Sequence, residues 1–256
     1  MATYSGKDVG LLLVQGYNLQ TFANAMDQVH RESVLEDVTV FGQQDQTFGY
    51  AGLRKASWGI KGFYDDGALA SNAAGLGMLA TGPGAGLLGL AGNTQGQNAI
   101  LFAGIIEKNY DRDVKVGMFH HLAAGWSCSG EVDEGIIHAP LAAQTANAHG
   151  ASINNSGGAT GFGAALVLQV TALALGTATN LVIKLQDSAD NVTFADVSGG
   201  TFTAVTAAPF AQRLVVSGTV RQYTQIAWNW TSGPGGGSSA TFAVGFFRGT
   251  AANTPK

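Results

Sequence analysis

The sequence is poor in cysteine and in charge, and both shortages narrow what the chain can be. Cys128 stands alone in 256 residues, so no disulfide framework can form within the chain, and a reducing compartment of synthesis fits. Charged residues make up 12% of the chain, against roughly 25% in an average soluble protein. A large, weakly charged surface suits permanent cover by a partner, because interface cores resemble domain interiors. Dilution by loops rich in glycine and alanine is the plainer reading of the same figure. A basic excess is missing too: 13 Lys/Arg face 17 Asp/Glu, which argues against a sequence-reading nucleic-acid protein. The shortage of charge is uneven, with 8 basic and 14 acidic residues over 1–150 but 5 and 3 over 151–256.

Long apolar runs are also lacking. The stretch from Ala68 to Gly92 is interrupted by Asn72, Thr81, Pro83 and many glycines, and makes a poor membrane span. The opening MATYSGKDVG has no basic segment leading into an apolar one, so an unsecreted chain is expected. On that expectation the sequons at Asn154, Asn191 and Asn229 are chance matches.

What is present is β-branched and glycine-punctuated, with 37 glycines and 46% hydrophobic residues. The length allows two modest domains or one large β-fold. Gly10 to Gly16 reads as a short buried strand, and Glu36 to Phe41 as another. Gln43 to Gly52 has no periodicity and reads as an exposed loop. From Ala56 the alternation puts Trp58 and Ile60 on one strand face, with Ser57, Gly59, Lys61 and Phe63 on the other. Asp66 is a helix cap for a short helix over 68–74, weakened by Gly75 and Gly77. Residues 81–97 read as a glycine-rich loop, and strands resume over 99–107, 114–123 and 126–138. The segment 142–163, rich in Ala, Asn, Ser and Gly, reads as a connection. Beyond it, about seven short strands separated by turns suggest a sandwich or barrel, with Asp187 to Asn191 as a hairpin turn.

Motifs for chemistry are weak. Gly84-Ala85-Gly86-Leu87-Leu88-Gly89 matches the phosphate-binding G-x-G-x-x-G, yet no strand–helix context surrounds it. His120, His121, Cys128 and His138 are the one cluster with soft-metal or nucleophile chemistry. Adjacent strand residues point to opposite faces, so His120 and His121 cannot easily share an ion. The acidic groups Asp65/Asp66, Asp111/Asp113 and Glu131/Asp133/Glu134 sit at predicted strand ends and turns, where solvated carboxylates are ordinary. No catalytic residue, cofactor or metal is expected.

Across residues 9–66 the order of VGLLLVQGYNL, ESVLEDVTVFG and GLRKASWGIKGFYDD, followed by ALASNAA, resembles the major tail proteins, or tail-tube proteins, of long-tailed bacteriophages. Phe41-Gly42, Gly52-Leu53 and Gly62-Phe63-Tyr64-Asp65-Asp66 carry that resemblance, and KLQDSADNVTFADV with RLVVSGTVRQYTQIAWNW is similar to the second halves of such subunits. The glycine-rich 68–97 and the connection 142–163 depart from the pattern.

The resemblance implies a mainly β fold: a tail-tube-like barrel or sandwich with one short flanking helix over 1–141, the connection 142–163, and a C-terminal β-sandwich over 164–256. It further implies hexameric rings stacked into a tube in the virion tail, with tape-measure, tail-terminator and tail-tip proteins as partners, non-specific passage of DNA, and no membrane. Gln43, Gln44, Asp45, Gln46, Thr47, Phe48, Tyr50 and Leu53 are the expected subunit contacts. Glu32, Glu36, Asp37 and Asp45 are the expected lining of an acidic lumen that DNA slides through without sticking. A capsid decoration or head-fibre protein and a carbohydrate-binding β-sandwich are the alternatives.

Overall fold

The structure, a computed structural model, describes residues 9–27, 29–37, 48–64, 84–113, 119–233 and 236–255, with the backbone alone over 32–37 and 48–55. The described residues contain strands and turns and no helix. In chain order the strands of the first half are β1 (Leu11–Val14), β2 (Tyr17–Asn18), β3 (Ala23–Met26), β4 (His30–Asp37), β5 (Phe48–Phe63), β6 (Gly84–Gly89), β7 (Asn98–Asp113), β8 (His121–Cys128) and β9 (Val132–Gln144). Then come β10 (Ala148–His149), β11 (Ile153–Asn154), β12 (Ala164–Ala174), β13 (Leu181–Ser188), β14 (Ala195–Thr201), β15 (Phe210–Val216), β16 (Tyr223–Trp230) and β17 (Ser239–Arg248). All pairings are antiparallel.

One large sheet runs β15-β12-β17-β9-β7-β6-β1-β2, and β7 also hands on to β8, β5, β3 and β4. A second sheet holds β10, β11, β16, β13 and β14. Strands buried on both faces make this stacking possible, because alternate residues of one strand feed two different cores. On β12, Ala164, Leu166, Leu168 and Val170 pack toward β13 and β16, with Trp228, Trp230 and Phe242. Its other face carries Ala165 and Val167, which join Leu11, Leu13, Leu87, Leu101 and Ile137 in a middle core. On β1 the same alternation sends Leu12 and Val14 to a third core with Trp58, Phe102 and Trp126. Three apolar layers therefore alternate with the sheet layers. Almost all of the first layer comes from residues 164–246, and all of the third from residues before 133.

The β1–β2 hairpin closes on Gln15 and Gly16, both left-handed at φ 54° and 81°, as a two-residue primed turn requires. Arg213 on β15 reaches Asp133 on β9 at 3.0 Å and Glu131 at 3.5 Å, an ion pair tying the C-terminal strands to the first half.

Several sequence expectations change. Gly84–Gly89 is no loop or phosphate cradle but the buried strand β6, between β1 and β7. Its glycines serve close packing: a Cβ on Gly86 would meet Ile105 Cδ1 at 2.5 Å, and one on Gly89 would meet Leu11 Cβ at 2.9 Å. The strand expected from Ala56 begins at Phe48, so Phe48 to Gly52 is strand rather than loop. Of the strands expected over 114–123 and 126–138, residues 114–118 lie outside the described residues, and the rest falls largely in β8 and β9, which turn at Ser129–Gly130 rather than at Gly125. Beyond residue 163, Phe202 and Val205 form a buried crossing rather than a strand of their own, leaving six long strands. The helix expected over 68–74 lies outside the described residues.

Candidate assembly surface

The 16 residues of β5 play two roles along their length. From Ala56 to Phe63 the strand is paired by β8, while among the described residues Phe48–Lys55 is paired only by β4, from Glu32↔Lys55 to Asp37↔Phe48. The outer half of β5 and β4 thus form a two-stranded ribbon, about 27 Å long at 3.4 Å per residue. A ribbon of this kind is marginal in water by itself. Its base carries an exposed Arg31–Glu134 pair at 3.1 Å, which contributes little.

The expected contact and lumen residues distribute over this ribbon. Tyr50 is opposite Leu35 and Phe48 opposite Asp37, while Leu53 falls within the register shift between Ser33 and Leu35. Glu32 and Glu36 are β4 residues, opposite Lys55 and Gly49. Gln43, Gln44, Asp45, Gln46 and Thr47 lie outside the described residues.

The inner half of β5 forms an open sheet face with β8 and β7. Trp58, Ile60, Trp126 and Leu122 point to the third core, so Ser57, Gly59, Lys61 and Phe63 point away from it, as do His121, Ala123, Gly125 and Ser127. At its centre Gly59 is directly opposite Gly125. The cleft there is lined by Asp27, Lys61, Lys108 and Asn109, with Asp27 Oδ2 and Asn109 Oδ1 lying over the two glycines. Two clefts of about 360 and 480 Å³ lie over this face and share Lys61 and Ala123. At one end Phe119, 82% exposed, meets Phe63 edge to face at 6.2 Å. Nearby, the Arg112 guanidinium lies 5.2 Å from the Tyr64 ring centre and donates to its hydroxyl at 3.1 Å.

Sequence reasoning put Gly59 and Phe63 on one face but missed Gly125, which it took as a break, and Phe119. The signal was present, since Leu122, Ala124, Trp126 and Cys128 alternate through Gly125 without interruption.

The groups singled out for chemistry are separated. His138 is buried with Nε2 2.9 Å from Thr224 Oγ1, and burial pulls its pKa down to about 4, leaving a neutral imidazole. Cys128 is buried in the third core, where burial pushes its thiol up to about 12. Among the described residues no three His, Cys, Asp or Glu side chains are grouped to hold a metal. Asp133 and Glu131 are engaged by Arg213, and Glu134 by Arg31. A further buried acid was not foreseen. Glu107, at the β7 bulge opposite Trp126, is 8% exposed, and neither carboxyl oxygen has a hydrogen-bond partner. Burial raises its pKa to about 8. The indole N–H of Trp126, whose ring stacks on Trp58 at 4.4 Å, is likewise without a partner among the described residues.

No family model and no curated protein matches the chain. Among solved structures the chain is similar to a component of the native gene transfer agent virion, with a TM-score of 0.40 and 14% identity over 52% of this chain and 98% of that one. It is similar to the SPP1 tail tube, at 0.40 and 12% over 51% and 78%. It is also similar to the SPP1 Dit protein, described as a paradigm of the hub adsorption apparatus of phages infecting Gram-positive hosts, at 0.34 and 11% over 93% and 99%.

Proposed function

We propose that this chain is a structural, non-catalytic subunit of a phage-type tail tube, residing in the virion tail, whose copies associate into six-membered rings stacked as a conduit for the genome. The observation that carries the reading is the double role of β5. The family-like Gly52-Leu53 lies on its projecting half, and the family-like Gly62-Phe63 lies beside the cleft on its inner half. A ribbon with one paired side supports a subunit that is completed by its neighbours. On this reading Phe48, Tyr50 and Leu53, with the segment 43–47, contact adjoining copies. Tape-measure, tail-terminator and tail-tip proteins are the further partners it implies, and DNA passes without being bound.

The test is self-assembly. Purified protein, concentrated and viewed by negative-stain microscopy alongside mass photometry, is expected to give rings and tubes. A protein that stays monomeric at every concentration, or that coats capsids without forming tubes, would sink this reading.

A further inference from the structure

A buried acid without a partner needs a reason, and the place of Glu107 on β7 supplies one. Its two carboxyl oxygens are buried and neither makes a hydrogen bond. The side chain faces the third core directly across from Trp126, whose indole N–H has no partner among the described residues. At this point β7 also changes neighbours. Its pairs with β9 end at Phe102 and those with β6 at Ile105, so from Ile106 to Asp113 it is held by β8 alone among the described residues. That remaining ladder is broken beside the acid, where the register shifts between Glu107 and Asn109 and leaves Lys108 as the extra residue of a bulge. Ile106 is 42% exposed, and on the outer face Lys108, Asn109 and Trp126 line the cleft of about 360 Å³. Water is therefore one strand's thickness from the carboxyl group.

We propose that Glu107 is a proton-held latch: while protonated it lies under a closed β7–β8 ladder, and on losing its proton to solvent it reaches water by opening that ladder at the bulge, with the rest of the fold in place. A neutral carboxyl tolerates an apolar site far better than a carboxylate does. Its surroundings offer the anion no compensation. Tyr110 on β7 and Cys128 on β8 are both raised by burial and stay neutral while Glu107 ionises. Arg31 at the base of β4 is paired with Glu134, and Arg112 is engaged by Tyr64. Tyr17 of β2 brings no cation, and β1, β5 and β6 meet this core through apolar side chains such as Leu12, Trp58 and Leu88. Burial alone thus holds the closed carboxyl up at about 8, while the opened one returns to 4.5. Below the lower value both forms keep the proton and the latch stays shut; between the two, opening is favoured by up to about tenfold per pH unit, and above the higher value the gain ends.

On the tube-subunit reading, the strands that open also carry the ribbon and the face offered to adjoining copies, so the same proton governs assembly. That consequence rests on the tube reading, whereas the latch does not.

Native-state hydrogen exchange of the wild type and Glu107→Gln, followed from about pH 5 to about pH 9 in low urea, tests the latch. Amides of residues 106–110 and 124–128 are expected to exchange faster in the wild type, by up to about tenfold more per pH unit until about pH 8. Their opening is expected to respond weakly to urea, as a small exposure of surface does, while amides of β12 and β17 respond with the full slope of unfolding. Equal exchange in the two proteins at every pH, or flanking amides that share the urea slope of β12, would overturn the latch. If Glu107→Gln does not fold, the two urea slopes in the wild type decide the matter alone. Wild-type tubes are expected to come apart above about pH 8 while Glu107→Gln tubes persist. Tubes equally stable in both would overturn control of assembly and leave the latch standing. A wild type that never assembles would overturn the tube reading, and exchange would still decide the latch.

Discussion

Gln169 on β12 accepts a hydrogen bond from the Gly16 N–H at 2.7 Å through its Oε1, and its Nε2 donates to the Ala85 carbonyl at 2.9 Å. A fully buried side chain from the C-terminal half thereby satisfies backbone groups at the β1–β2 turn and on β6. The middle core is thus held by a polar clasp as well as by packing. Gln169→Leu leaves the Gly16 donor buried without a partner, and the expected loss is about 1–3 kcal/mol. Urea denaturation reads it as a lower midpoint with an unchanged slope. An unchanged midpoint would show that the turn finds another acceptor.

Glu107 makes stability depend on pH. Its folded pKa is about 8 against 4.5 for an ordinary glutamate. Between those values the folded chain holds a proton that the unfolded chain has released, so stability falls as pH rises. Below 4.5 both states are protonated and the full stability is present. Above about 8 both are ionised and the loss is complete. The difference between wild type and Glu107→Gln, followed by chemical denaturation, is expected to fall by roughly 1–3 kcal/mol across this window, the usual cost of a buried polar group without a partner. A pH-independent difference would mean that Glu107 gains a partner in solution.

Much of this architecture was readable from period-2 alternation. Trp58, Ile60 and β13 follow it closely, while β12, β16 and β17, buried on both faces over most of their length, were readable instead as apolar runs bounded by turns. What escaped were strands whose glycines look like breaks. In β6 the glycines permit close packing without bending the chain, and in β8 Gly125 leaves room for the Asn109 side chain, distinctions that lie in the neighbouring strands rather than in the local sequence. The ribbon was half legible for a related reason. Phe48 and Tyr50 alternate, but the irregular register around Leu53 hides the period. Glu107 was invisible because a lone acid after Ile105 and Ile106 reads as the solvated end of a strand.

We propose that residues 164–256 form a unit of their own, as nearly all of the first core comes from them. A fragment of residues 145–256 keeps β10 and β11 on β16. It is expected to give a dispersed proton NMR spectrum and to self-associate through the stripe of Ala165, Val167, Ala243 and Phe247, which the middle core normally covers. Phe247→Lys is expected to make it monomeric. An unfolded fragment would place the boundary elsewhere.

The carboxylates of β4 separate two roles that one element cannot easily combine. As lumen lining, Glu32, Glu36, Asp37 and Asp45 would repel passing DNA, an effect reaching about 8 Å at physiological salt. As part of a subunit contact, the three on β4 would instead meet an adjoining copy. Replacing Glu32, Glu36 and Asp37 by lysine would disturb such a contact, which predicts folded monomers that fail to build rings. Lumen lining predicts the opposite: well-formed tubes from the triple variant and slower genome delivery in an infection assay. Tubes of normal number and length from the triple variant would therefore move these carboxylates from the subunit contact to the channel wall.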